Sequence, residues 1–119
     1  PWFERNYKSY SLPAEFINEL KNNINNEISC KVFFGSWCGD SKREVPKFFK
    51  LTDSIGFANV EYYGLDRSKK SPSGAESAFN VQRVPTFIFF KNDKEIGRII
   101  ENPVKSLHED FLDIIKPKN

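Results

Sequence analysis

Apolar residues recur along this chain with two different periods, and the switches between them divide it into elements. Ile28 to Phe34 is dense in β-branched and aromatic residues and reads as a strand. Val60 to Leu65 reads as another, and Thr86 to Phe90 is apolar on both faces, as a central strand covered on both sides should be. Asn92 and Asp93 then make a turn into Glu95 to Ile100, a hairpin whose second strand is more polar and so lies nearer a sheet edge.

Between these runs the apolar spacing is helical. Phe16, Ile17, Leu20 and Ile24 share one face of a helix for which Ser11 is the expected N-cap, with Pro13 in its first turn; its end frays in Asn22 to Asn26. A second helix runs through Val45, Phe48, Phe49 and Thr52 to Ile55, where Gly56 can stop it. Pro46 sits inside it, removes one backbone donor and should kink it. After the polar loop Arg67 to Gly74 comes a short helix over Ala75 to Phe79. Ser106 and Glu109 form a capping box for a last helix with Leu107, Phe111, Leu112, Ile114 and Ile115 on its apolar face. Residues Pro1 to Tyr10 carry Trp2, Phe3, Tyr7 and Tyr10 without a clean period and are expected to form an irregular arm packed on the rest. The resulting order, with alternating helices and strands followed by a hairpin and a helix, predicts an α/β fold: a mixed sheet with helices on both faces.

Composition narrows the function classes. At 119 residues the chain suits one domain, and 39% hydrophobic residues with 12 Phe indicate a packed core rather than disorder. The formal net charge is +2 with both signs interspersed, so nothing advertises a nucleic-acid partner. Two cysteines and one histidine cannot build a typical structural zinc site, no acidic cluster has calcium-loop spacing, and no metal or cofactor is implied. The longest apolar run, Phe87 to Phe90, is far below a spanning helix, and a soluble, monomeric domain is expected. The start at Pro1 without an initiator Met tilts the expectation toward an exported, periplasmic protein over a cytoplasmic one.

The candidate chemistry lies where the first strand gives way to the second helix, at Gly35-Ser36-Trp37-Cys38-Gly39-Asp40-Ser41. Cys38 falls at the helix N-terminus, where unpaired N–H groups and the helix dipole favour an anion, so its thiol should ionise more readily than a free one at about 8.5. Cys30, within the strand, reads as a small buried hydrophobe, and the intervening strand keeps the two cysteines from bridging. His108 reads as a solvated surface residue.

Trp37, Cys38, Gly39 and Pro46 resemble the active-site motif of the thioredoxin superfamily, W-C-G-x-C followed by a helix-kinking proline, except that Ser41 stands in place of the second cysteine. The motif is similar to that of a group of bacterial thioredoxin-like proteins with W-C-G-D-S-x-R-E-V-P, and the resemblance runs along nearly the whole chain. It implies the thioredoxin fold and makes Val84-Pro85-Thr86 the cis-proline loop facing the reactive cysteine. Val84 would then pair through its backbone with an extended substrate, and Trp37, Gly39 and Pro85 would line the same substrate site.

The resemblance further implies thiol-disulfide exchange with protein or small-molecule thiols and disulfides, glutathione among them. Cys38 would be the nucleophile and Ser41 a hydrogen-bond donor to its thiolate, leaving a mixed disulfide for an outside thiol to release. Val32 and Tyr62 occupy the positions of the buried carboxylate and lysine that many dithiol members carry, and Asp40 should oppose the thiolate charge. Two other readings stay open: a non-catalytic thioredoxin-like binding module, and a dithiol enzyme in which Ser41 was introduced to trap substrates.

Overall fold

The computed structural model describes residues 1–117 and places nine elements along the chain. They are α1 (Trp2–Ser9), α2 (Ala14–Asn23), β1 (Ile28–Phe34), α3 (Gly39–Ile55), β2 (Val60–Gly64), α4 (Ala75–Ala78), β3 (Thr86–Lys91), β4 (Lys94–Ile100) and α5 (Leu107–Ile115). The strands form one mixed sheet in the order β2-β1-β3-β4. β1 runs parallel to β2 and antiparallel to β3, and β3 and β4 form the hairpin. Asn92 and Asp93 both take positive φ, 52° and 66°, the geometry that a tight hairpin turn requires.

Strand alternation sends side chains into two clusters. On one face Cys30, Val32, Phe87 and Phe89 meet Val45, Phe48 and Leu51 of α3, Leu107, Phe111 and Leu112 of α5, and Leu20 of α2. The rings of Phe48 and Phe87 lie 4.8 Å apart and those of Phe89 and Phe111 4.7 Å, and each fully buried Phe contributes about 1.5–3 kcal/mol through burial. The other face is thinner. Phe33, Ile88 and Phe90 are covered there by Leu65, Val81, Val84 and Phe79, from the long connection that contains only the four-residue α4.

Three expectations change. Residues 2–9 form a helix rather than an irregular arm, because Phe3 and Tyr7 are one turn apart and α3 supplies what the isolated segment lacks. Phe3 packs edge-on against Phe49 at 5.2 Å, and the Tyr7 hydroxyl donates to Asp53 at 2.9 Å. α1 also repairs a backbone defect. Pro46 lacks the N–H that would bond to Lys42 O, and the Asn6 side-chain amide donates to that carbonyl instead, at 2.7 Å.

The second change concerns Ser11, which is exposed and caps nothing. α2 starts instead at Pro13, whose carbonyl takes the first helical bonds from Phe16 and Ile17. The third is His108. Its Nδ1 pairs with the Tyr10 hydroxyl at 2.7 Å and its ring meets Phe16 edge-on at 4.7 Å, so it is half-buried rather than solvated. Burial holds its pKa below the usual value. The Ser106 cap forms as expected, its Oγ accepting from Glu109 N at 3.2 Å and donating to the Glu109 carboxylate at 2.9 Å.

Candidate functional site around Cys38

Residues 35–38 connect β1 to α3 in one tight turn, closed by the Cys38 N–H donating to Gly35 O at 3.0 Å. Cys38 is the N-cap of α3: its backbone is extended, and its carbonyl accepts the first helical bond from Lys42 N at 3.0 Å. Its half-buried thiol is directed at the carbonyl of Val84, 3.5 Å away, in the loop preceding β3. The Val84-Pro85 peptide bond is cis. Thus the helix end and the loop at the start of β3, far apart in sequence, meet at one sulfur.

Ser41 lies one helical turn beyond Cys38 and is 1% exposed. The expected hydrogen bond to the thiol does not form. Its Oγ accepts from Gly35 N at 3.1 Å instead, because the turn leaves that N–H buried and without a strand partner. Ser41 therefore fastens the β1–α3 turn. Trp37 folds back over the same turn, donating from Nε1 to Leu65 O at 3.0 Å. Its indole occupies the space above Gly35, where a Cβ would stand 2.6 Å from Trp37 Cε2. Gly35 holds three site residues at once, a role that the turn signal in the sequence does not convey. Gly39, by contrast, opens α3 where, its own stretch of helix backbone and chain neighbours aside, nothing lies within 4 Å of where a Cβ would sit.

The charge on Asp40 is not left facing the sulfur alone. Arg43 Nη2 lies 2.9 Å from its carboxylate, while Arg43 Nε binds Glu44 at 2.6 Å and the guanidinium also donates to Asn102. Glu44, 3% exposed, is a buried carboxylate on α3 that the sequence pattern does not single out. Val32 and Tyr62 sit side by side on β1 and β2 and belong to the cluster under α3 and α5, whereas Cys38 packs with the thinner one. Tyr62 stacks on Phe49 at 4.4 Å, and burial raises its pKa. Cys30 is 1% exposed between Val60 and Phe89, and burial raises its thiol pKa well above the ordinary range.

Beside Cys38 opens a cavity of about 300 Å³ lined by Trp37, Lys69, Arg83, Val84 and Glu101. Arg83 precedes the proline loop by one residue, so proximity in sequence could have flagged it. Lys69 and Glu101 come from the β2–α4 loop and the end of β4, and only the fold brings them in.

A four-stranded mixed sheet with a cysteine at the N-terminus of its central helix, facing a cis-proline loop, is the arrangement of a thioredoxin-type protein. The chain belongs to the thioredoxin family, whose family model matches residues 2–110. It is 35% identical to thioredoxin H2 of Arabidopsis thaliana over 84 residues, which cover 71% of this chain and 59% of the relative. The chain spans about three fifths of the length of the curated relatives it matches. Among solved structures, Fasciola hepatica thioredoxin superposes with a TM-score of 0.57 at 27% identity, covering 86% of this chain and 89% of that one. A Pseudomonas aeruginosa protein of unknown function gives a TM-score of 0.70 at 16% identity over 95% and 79% of the two chains, a likeness of fold.

Proposed function

We propose that this chain performs thiol-disulfide exchange through Cys38 as its only exchanging thiol. In the first step the Cys38 thiolate attacks one sulfur of a disulfide R–S–S–R′. A Cys38–S–S–R bond forms, the old S–S bond breaks, and R′–S⁻ leaves. A second thiolate from solution then attacks the mixed disulfide, takes R–S with it, and returns Cys38 as thiolate, so bonds and electrons balance. Ser41 cannot perform that second step, since an alcohol is no exchanging sulfur.

One observation carries the reading: the Cys38 sulfur sits at the end of α3 and faces the Val84 backbone across the groove. A helix N-terminus favours the anionic nucleophile. A substrate in extended conformation would displace the thiol from Val84 O and pair with the Val84 backbone, while Trp37, Gly39 and Pro85 bound the groove. Residues 1–119 would act as one monomeric domain on protein disulfides or on small thiols of the glutathione type.

Incubation with oxidised glutathione, read by intact mass, tests this. The expected product is one persistent adduct located on Cys38. In Ser41→Cys the new thiol lies one turn along the same helix, about 5–6 Å away between Cβ atoms, within reach of a modestly adjusted disulfide, so the adduct should give way to an internal bridge with the loss of two hydrogens. If Cys38 forms no adduct with any disulfide, the groove is a binding surface and the cysteine is incidental.

A further inference from the structure

We infer that the cavity beside Cys38 selects a small thiol compound bearing free carboxylates, with Lys69 and Arg83 as its anion-binding residues; this rests on the proposed exchange at Cys38. Of the residues that line the cavity with Cys38, Lys69 and Arg83 are cations and only Glu101 is an anion. They line the groove from three separate segments, so their convergence is a property of the fold and not of a local charge run.

Both cations stand on fixed backbone. The Arg83 carbonyl accepts from Thr86 Oγ1 at 2.6 Å, which ties the residue to the first position of β3. Lys69 holds a left-handed φ of 63° inside a turn organised by Asp66. There Lys69 N donates to Asp66 O at 2.8 Å, and Asp66 Oδ1 takes Ser68 N, Ser68 Oγ and Lys70 N at 2.9, 2.7 and 3.0 Å. The hydrogen bonds around Asp66 fix the backbone of this exposed turn, from which Lys69 lines the groove. Its ammonium has no anionic partner among the described residues.

Arg83 is paired on one side only. Nη1 meets the Glu101 carboxylate at 2.9 Å, and a guanidinium carries five donors, so its remaining edge is available to a second carboxylate. Glu101 in turn competes with any ligand anion for that group. The groove is open to solvent and offers about 300 Å³ beside the sulfur, room for a thiol compound of di- or tripeptide size. A disulfide whose thiol half carries carboxylates would therefore place them against Lys69 and the free edge of Arg83 as its sulfur meets Cys38. The exchange itself is unchanged: Cys38 bonds one half, and the other half leaves as its thiolate.

The test measures rates of adduct formation on Cys38 by quenched intact mass. The probes are oxidised glutathione, its fully esterified form, the cationic disulfide cystamine, and a ten-residue acidic peptide disulfide. Each rate is divided by that of the same disulfide with a small free thiol. Oxidised glutathione should react about fivefold faster than its ester, the scale of two partly exposed charge contacts, and the advantage should shrink with salt. Lys69→Ala combined with Arg83→Ala should erase that preference, bringing the oxidised glutathione rate down to that of the ester. Glu101→Gln should raise the rate for oxidised glutathione, a gain that a misfolded variant could not produce. Equal normalised rates for all charges, or a double variant that slows the ester equally, would overturn the anion site. A faster reaction with the acidic peptide would overturn the small-thiol occupant. If no disulfide reacts at all, the exchange reading falls with it, whereas equal reactivity removes only the selectivity.

Discussion

Cys30 and Cys38 belong to the same connected stretch of chain, yet the surroundings of the two thiols are opposites. Cys30 lies in the middle of β1, flanked by β2 and β3 and roofed by the aromatic cluster of α3 and α5. Cys38 lies at the end of α3, packed on the thinner cluster and open to a cavity on its other side. The difference teaches that two cysteines eight residues apart take opposite surroundings from the elements that hold them: a strand interior spends all its backbone groups on its neighbours, whereas a helix start has N–H groups to spare. In the exchange proposed above, that contrast is what sets the two thiols apart.

The largest expected effect breaks the comparison outright. Cys38→Ser should lose all adduct formation with oxidised glutathione, while Cys30→Ala should keep it; intact mass decides, and an adduct on Cys30 in the native fold would reverse the assignment. Labelling sharpens it next. Native iodoacetamide should modify Cys38 at least about a thousandfold faster than Cys30, because Cys30 reacts only through opening of a core worth several kcal/mol. Peptide mapping over time would reveal it, and equal rates would mean the strand is not closed over the thiol.

Glycine substitutions probe the Cys38 region alone. Gly35→Ala pushes a methyl into the Trp37 indole and should cost about 1–3 kcal/mol, seen as a lower thermal midpoint with altered Trp fluorescence. Gly39→Ala, with open space around it and a better helix former, should be neutral or stabilising by up to about 1 kcal/mol. A smaller effect of about 1 kcal/mol is expected for Asn6→Ala, which strips Lys42 O of the donor that replaces the missing proline N–H. Urea denaturation would measure it, and an unchanged midpoint would mean that water serves the carbonyl as well.

The pH response of Cys30 completes the series. Its folded-state pKa is raised by burial, so the neutral thiol's contribution is fully present below the unfolded value of about 8.5 and is lost progressively as pH rises above it toward the folded pKa. Denaturation midpoints should therefore fall between about pH 8.5 and 10 in the wild type and fall less steeply in Cys30→Ala. Identical slopes would place the alkaline sensitivity elsewhere.

Much of the fold was legible in the chain, because burial imposes periodicity. Every strand and the three longer helices after the first follow from apolar spacing and caps, and Gly56, Ser106 and the Asn92-Asp93 turn act through local backbone preferences. The position of Cys38 at a helix start is of the same kind. α1 was not legible, since its short aromatic stripe is marginal alone and gains its helix only against α3.

What the sequence by itself determined is thus the succession of elements, the family motif, and the contrast between a strand cysteine and a helix-end cysteine. Only the tertiary structure decided that Ser41 serves Gly35 rather than the sulfur, that Asn6 completes the broken turn at Pro46, and that His108 is sheltered by Tyr10. It also decided that Lys69, Arg83 and Glu101 gather at Cys38. The physical reason is range. Propensities, caps and periodicity act over a few residues, whereas hydrogen-bond partners and charge neighbours are chosen by which surfaces pack together, and that choice is settled only when the whole sheet has closed.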